Sequence, residues 1–251
     1  MRAHAPRAPW AVAWLLLRVT VHALRGWLTI RLSFARLSDE QREMRVQLWA
    51  RGMLKVLGIE LRLHGQPPLA GPVLLVANHI SWLDILVMHA ARHCRFVSKA
   101  DVKRWPLIGT LATGGGTLYI ERESRRDAMR VVHRMAQGLQ DDQVVAVFPE
   151  GTTGDGITLL PFHANLIQAA ISADAPVQPV ALRFVDARSG ALSLAPSYVG
   201  DESLVGSLWR TLRAPPLAAV VRYGEPQTAQ GRDRRAWAAD LHAEIERLRG
   251  A

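Results

Sequence analysis

His79 and Asp84 stand in an H-x-x-x-x-D spacing inside the stretch Val73-Leu-Leu-Val-Ala-Asn-His-Ile-Ser-Trp-Leu-Asp84. An imidazole held by a carboxylate is an arrangement that activates a hydroxyl. The carboxylate fixes the ring tautomer and supports the charge that develops as the ring takes a proton. On one continuous helix, residues five apart diverge by roughly 140°. The pair therefore meets only if His79 lies in a turn and Asp84 in the first turn of a helix. Two local signals support that placement. The apolar run Val73–Ala77 reads as a strand ending at a polar corner. Ser81-x-x-Asp84 reads as a helix start, with Ser81 at the N-cap and Asp84 at the third helical position. Taken singly, a histidine at a turn is ordinarily a polar loop residue, and an aspartate there a capping residue.

Three further segments bear on the choice. Gly116-Thr-Leu-Tyr-Ile-Glu-Arg122 reads as a short strand over Thr117–Ile120, with Arg122 just past its end. A guanidinium there is either a solvated strand-end charge or a fork placed to grip a phosphate or carboxylate. In Val144-Val-Ala-Val-Phe-Pro-Glu-Gly-Thr-Thr153 a buried-type strand runs into a Pro-Glu-Gly corner. Pro149 ends the ladder there, and Gly151 lets backbone approach a ligand closely. Glu150 is expected at the same rim of the sheet as His79. The last segment, Ala175-Pro-Val-Gln-Pro-Val-Ala-Leu182, is a strand interrupted by Pro179.

In this order the segments resemble the family of 1-acylglycerol-3-phosphate acyltransferases, whose motifs run N-H-x4-D, G-x-x-[FY]-I-x-R, F-P-E-G-[TS] and V-x-P. They stand here as Asn78-His79 with Asp84, Gly116 to Arg122, Phe148 to Thr152, and Val177 to Pro179, covering roughly residues 73 to 182. The resemblance implies acyl transfer from an acyl carrier protein or coenzyme A thioester to the free hydroxyl of a lysolipid, most often lysophosphatidate giving phosphatidate. It implies His79 as general base and Asp84 as its partner. Arg122, Glu150 and Gly151 are implied as acceptor-binding elements, with Asn78, Gly116 and Thr152 as further substrate-binding positions of the motifs. It also implies a place on the cytoplasmic side of the inner membrane, and no cofactor. Two departures bear on the acceptor. Many relatives follow F-P-E-G-T with Arg, where this chain has Thr153. Many also carry Phe-Lys-x-Gly, where this chain has Phe162-His163-Ala-Asn165. The lyso-ornithine lipid acyltransferases, a branch of the same family, are similar around Trp-Leu-Asp-Ile and E-G-T-T. Their acceptor lacks a phosphate and suits a less cationic pocket.

Length and composition agree with one enzyme domain plus an anchor. The chain has 251 residues, 49% of them apolar, and a formal net charge of +9. A single cysteine, Cys94, excludes an internal disulfide framework and fits a reducing compartment. No C-x-x-C, H-E-x-x-H, G-x-S-x-G or phosphate-cradling glycine motif occurs, so neither a metal site nor a hydrolase elbow is indicated. Gly114-Gly-Gly116 reads as a flexible turn.

The charge is unevenly placed, since residues 1 to 38 hold six Arg and no acid. On a helical wheel Trp10, Trp14, Leu17, Val21 and Leu24 share one side, beside a stripe of Arg7, Arg18, His22 and Arg25. No uncharged apolar run reaches the ~18 residues of a simple spanning helix. Residues 1–37 are thus expected to form a basic, Trp-rich anchoring helix lying in an anionic membrane interface, and 38–251 the catalytic domain. A secretory signal fits less well, because Arg18 breaks the apolar region. Nucleic-acid binding also fits poorly, because the basic charge sits in an apolar arm. A non-enzymatic membrane adaptor is the alternative of another class.

Elsewhere, strands near 59–63, 73–77, 95–98, 117–120, 144–148, 177–184, 191–194 and 218–223 alternate with helical patterns. This predicts an α/β sandwich with a mixed, largely parallel sheet flanked by helices, its site at the carboxyl ends of the strands. The basic helix near 232–249 reads as solvated surface.

Overall fold

A computed structural model describes residues 7–120 and 125–251. Helix α1 (Pro9–Ser33) leads into α2 (Asp39–Leu57). The latter begins at a capping box in which Ser38 and Gln41 exchange side-chain and backbone hydrogen bonds. There follow β1 (Ile59–His64), β2 (Val73–Ala77), α3 (Leu83–Ala91), β3 (Arg95–Lys99), α4 (Ile108–Gly114), β4 (Leu118–Ile120), α5 (Arg125–Gln140) and β5 (Val144–Val147). The chain closes with α6 (Gln168–Ala173), β6 (Val177–Asp186), α7 (Leu204–Arg213), β7 (Leu217–Tyr223) and α8 (Arg234–Gly250).

The strands form one seven-stranded sheet in the order β1-β7-β6-β2-β5-β3-β4. Every neighbouring pair is parallel except β6 with β7. Side chains alternate between the two faces of a strand, and β2 divides accordingly. Leu75 and Ala77 join a core built with α1, α2 and α3, while Leu74 and Val76 join a core built with α5, α6 and α8. The result is the helix–sheet–helix sandwich expected of alternating strands and helices.

The structure departs from expectation at three places. Residues 191–194 make only an isolated bridge, Val185 with Leu192, rather than a strand. Gly114 is the last residue of α4 rather than part of a turn, and its α-carbon packs on Ile30. Helix α8 is not a solvated surface element: Trp237, Leu241, Ile245 and even Arg249 are buried. The arm lies against the rest of the chain. α1 packs along α2, where Trp49 Nε1 donates to the His22 carbonyl at 3.1 Å and His22 Nε2 lies 3.0 Å from the Trp49 carbonyl. Gly26 allows this approach, since a Cβ there would lie 2.4 Å from the Trp49 ring. The expected outer face holds: Trp10, Trp14, Leu17, Val21 and Leu24 are all exposed. The stretch Pro9–Arg36 does contain an 18-residue window of mean hydropathy 1.2, long and apolar enough to cross a membrane.

Candidate active site

Register places the site. β2 and β5 are parallel, with Val76 opposite Val147. His79 and Glu150 each lie three residues beyond that pair, so they emerge side by side at the carboxyl edge of the sheet. The contact is direct: the His79 backbone N–H donates to Glu150 Oε1 at 2.6 Å, and Leu160 N–H donates to Oε2 at 2.9 Å. Burial pushes the Glu150 carboxyl above its ordinary value, opposed by those two N–H bonds. Glu150 is only 5% exposed. Its observed partners are backbone groups, so it braces the His79 corner against the loop that follows β5. The His79 carbonyl in turn accepts from Gly154 N–H at 2.8 Å.

The chain turns from β2 into α3 as the spacing of His79 and Asp84 requires. His79 Nδ1 lies 2.9 Å from Asp84 Oδ2. The same oxygen accepts the backbone N–H groups of Ile80 at 2.6 Å and Ser81 at 2.9 Å. Asp84 is fully buried and the His79 side chain is 17% exposed. With Nδ1 facing this acceptor oxygen, the geometry assigns the ring N–H to Nδ1 and leaves the Nε2 lone pair for a substrate. The His79 ring is held flat against Phe148, with centroids 3.9 Å apart and planes 6° from parallel. The local cap differs from expectation. α3 begins after Trp82, Asp84 is its second residue, and the Ser81 hydroxyl accepts from Leu83 N–H at 3.3 Å. The amides of Ile80 and Ser81 are committed to Asp84.

The remaining candidates fall into place unequally. Asn78 is buried, and its amide bridges to β6: Nδ2 donates to the Leu182 carbonyl at 3.1 Å and Oδ1 accepts Leu182 N–H at 2.7 Å. That pairing ties the end of β2 to its neighbour. Gly151 adopts φ 74°, and a Cβ there would lie 2.9 Å from the His163 ring, so both the turn and the close approach require glycine. Thr152 is exposed on the same corner. The Gly116 carbonyl accepts from Arg95 Nε at 2.8 Å, at the entry to β4. Arg122 lies outside the described residues. Thr153 is half-buried, and its hydroxyl donates to the Tyr198 carbonyl.

Two contributors went unread in the sequence. His79 and Phe148 border a cavity of about 1100 Å³ whose walls are largely apolar, including Ile30 of α1, Leu48 and Trp49 of α2, and Leu86 of α3. At the far end of the chain, Arg249 Nη2 donates to the carbonyls of Gly156 at 3.1 Å and Ile157 at 2.8 Å. It thereby secures the loop that carries Glu150.

The matches to known proteins fall on this same part of the chain. The model of the Acyltransferase family matches residues 59–183. A lyso-ornithine lipid O-acyltransferase of Pseudomonas aeruginosa is 37% identical over 193 residues, covering 77% of this chain and 73% of that one. A 1-acyl-sn-glycerol-3-phosphate acyltransferase of Neisseria meningitidis is 40% identical over 186 residues, covering 73% and 72%. The crystal structure of the 1-acyl-sn-glycerophosphate acyltransferase of Thermotoga maritima shares the fold, with a TM-score of 0.68 over 96% of each chain at 18% identity. With the histidine–carboxylate corner inside the matched span and such identity over most of both chains, the protein belongs to the acyltransferase family.

Proposed function

We propose that this enzyme moves a fatty acyl group from a thioester to the free hydroxyl of a lysolipid, with His79 as general base. The observation that carries the reading is the His79–Asp84 pair bordering an apolar cavity large enough for an acyl chain. Nε2 takes the proton of the lysolipid hydroxyl as its oxygen attacks the thioester carbonyl carbon. The C–O bond forms and a tetrahedral oxyanion results. Its collapse breaks the C–S bond, and the departing sulfur takes the proton back from the imidazolium. Asp84 stabilises that imidazolium, and Glu150 holds the backbone of the base in place. Base assistance of this kind contributes ~10²–10⁴-fold in rate.

The donor we propose is an acyl carrier protein or coenzyme A thioester, and the leading acceptor is lysophosphatidate, with Arg122 gripping its phosphate. A second acceptor, lyso-ornithine lipid, is favoured by one observation: Thr153 and His163 stand where many relatives carry cations, and the Thr153 hydroxyl is engaged by Tyr198. The exposed Trp and Leu side of α1, with its Arg residues, would rest on an anionic membrane surface. We also retain residues 1–37 as the membrane-contacting segment and 38–251 as the catalytic domain. Both would work on the cytoplasmic side of the inner membrane.

The test pairs acyl-carrier and coenzyme A thioesters with lysophosphatidate and lyso-ornithine lipid, using the full chain in detergent micelles. The expected outcome is ester product from lysophosphatidate in excess of that from lyso-ornithine lipid. The reverse ratio would transfer the assignment to the second acceptor, and no product from either would overturn the proposed function.

A further inference from the structure

The segment between β6 and α7 touches both corners of the site, and Tyr198 is its point of contact. The Tyr198 backbone N–H donates to the carbonyl of Ile80, the residue after His79, at 3.0 Å. The Tyr198 carbonyl accepts the hydroxyl of Thr153, on the loop that begins at Glu150. The segment is fastened on either side of this residue. Ser197 Oγ donates to the Asp155 carbonyl at 2.9 Å. Arg210 of α7 donates to the carbonyls of Leu194 and Ser197 and to both carboxylate oxygens of Glu202. Trp82 Nε1 donates to Ser207 Oγ at 3.1 Å, which ties α7 to the histidine corner as well.

Counting donors decides which of these groups can answer a ligand. From the two corners and this segment, His79, Trp82, Phe148, Thr153 and Tyr198 border the cavity. His79 Nδ1 faces Asp84, and Trp82 Nε1 is spent on Ser207. Thr153 has one hydroxyl proton and gives it to the Tyr198 carbonyl, so it offers a ligand only lone pairs. Both backbone groups of Tyr198 are spent too, which leaves its phenol. The Tyr198 side chain is half-buried, and its hydroxyl makes no hydrogen bond among the described residues. In this set the Tyr198 O–H is the uncommitted donor.

We propose that Tyr198 is a specificity-determining residue for the acceptor. Its phenol donates a hydrogen bond to an anionic oxygen of the lysolipid headgroup, and Thr153 is the residue that positions it. In lysophosphatidate and in lyso-ornithine lipid the reacting hydroxyl lies only a few bonds from such an oxygen, so a donor beside the base is where that oxygen falls. A phenol also brings no charge. It pairs with phosphate and carboxylate alike, and it sets no cation beside a ring that must itself become positive. This rests on the acyl-transfer reading above and adds the residue that grips the acceptor.

The experiment uses the full chain in detergent micelles with a saturating palmitoyl thioester, and varies whichever of the two lysolipids is turned over. Tyr198→Phe is expected to raise the acceptor KM by about tenfold, the low end for a hydrogen bond to a charged group, with kcat and the thioester KM little changed. Thr153→Val is expected to raise the acceptor KM by about threefold. Thr153→Ser, whose hydroxyl still reaches the Tyr198 carbonyl, is expected to stay near the unaltered value. Because Thr153 acts through Tyr198, adding Thr153→Val to Tyr198→Phe is expected to raise KM no further. KM does not depend on how much of the sample is folded, so a variant that folds in lower yield still reads true. An unchanged KM in Tyr198→Phe, or a fall in kcat alone, would overturn the role of the phenol. An unchanged KM in Thr153→Val, or full multiplication of the two single effects in the double variant, would overturn the positioning role of Thr153. Absence of transfer by the unaltered protein would instead strike the acyl-transfer reading beneath both.

Discussion

Two imidazoles, His79 at the β2–α3 corner and His89 on α3, sit at opposite ends of an aromatic run through Phe148 and Phe96, and their settings differ in exposure and in partner. His79 has a carboxylate at 2.9 Å, whereas His89 Nδ1 is buried without a hydrogen-bond partner among the described residues. Phe148 packs on the first ring and Phe96 on the second, so apolar contact is common to both. The difference teaches that burial by itself makes a neutral, inert imidazole. A base needs a fixed negative neighbour to stabilise the proton it takes up.

The largest test of this contrast is at the partnered ring. His79→Ala is expected to lower kcat by about 10²–10⁴-fold while the protein stays folded, measured as thioester consumption beside a thermal unfolding curve. Asp84→Asn should approach the same loss. It should also lower stability by about 1–3 kcal/mol, because the one oxygen shared by His79, Ile80 and Ser81 would then belong to a neutral amide, a weaker acceptor than a carboxylate. Near-normal turnover in folded His79→Ala would erase the distinction between the two rings.

A smaller effect is expected from the support of the His79 corner. Arg249→Ala frees the carbonyls of Gly156 and Ile157 and loosens the loop that holds Glu150. A fall in kcat of about tenfold is expected with little change in acceptor KM, partly rescued by Arg249→Lys, which can reach one carbonyl but not both. An equal rise in KM would show that the loop binds acceptor rather than positioning the base.

A further effect, on stability rather than on turnover, is read by acid. In the folded protein, burial lowers His89 to about 3 and His93 to about 4 from an ordinary 6.5. Both folded values lie below the unfolded one. The stability they contribute is therefore complete above pH 6.5 and is lost as pH falls toward pH 4 and 3. The expected slope is up to ~1.4 kcal/mol per pH unit for each histidine. Denaturant midpoints at pH 7, 6 and 5 check the sign, and His89→Leu should flatten the slope. His93 remains, facing Glu43 at 3.8 Å.

Much of this arrangement can be read in the sequence, because it is local or periodic. The catalytic-type pair spans only six residues, and the continuous apolar runs at Val73 and Val144 announce the strands that carry the corners. What stays hidden depends on contacts between distant segments. The basic spacing at the end of α8 looks solvated until Arg249 is seen folded back on residues 156–157. Nothing in the sequence announces that the Asn78 amide pairs with the backbone of Leu182. α1 shows a wide apolar side, but the docking side is built from small residues, Ala23 and Gly26, that carry little hydropathy signal. Residues 191–194 have a strand-like pattern yet form only one bridge, Val185 with Leu192.

The exposed ridge of α1 has a practical consequence. Trp10, Trp14, Leu17, Val21, Leu24, Leu28 and Leu32 lie along it, all open to solvent. In dilute aqueous buffer such a ridge drives copies of the chain together. The molecular size measured there will report on the solvent rather than on a native assembly, and will fall as detergent is added.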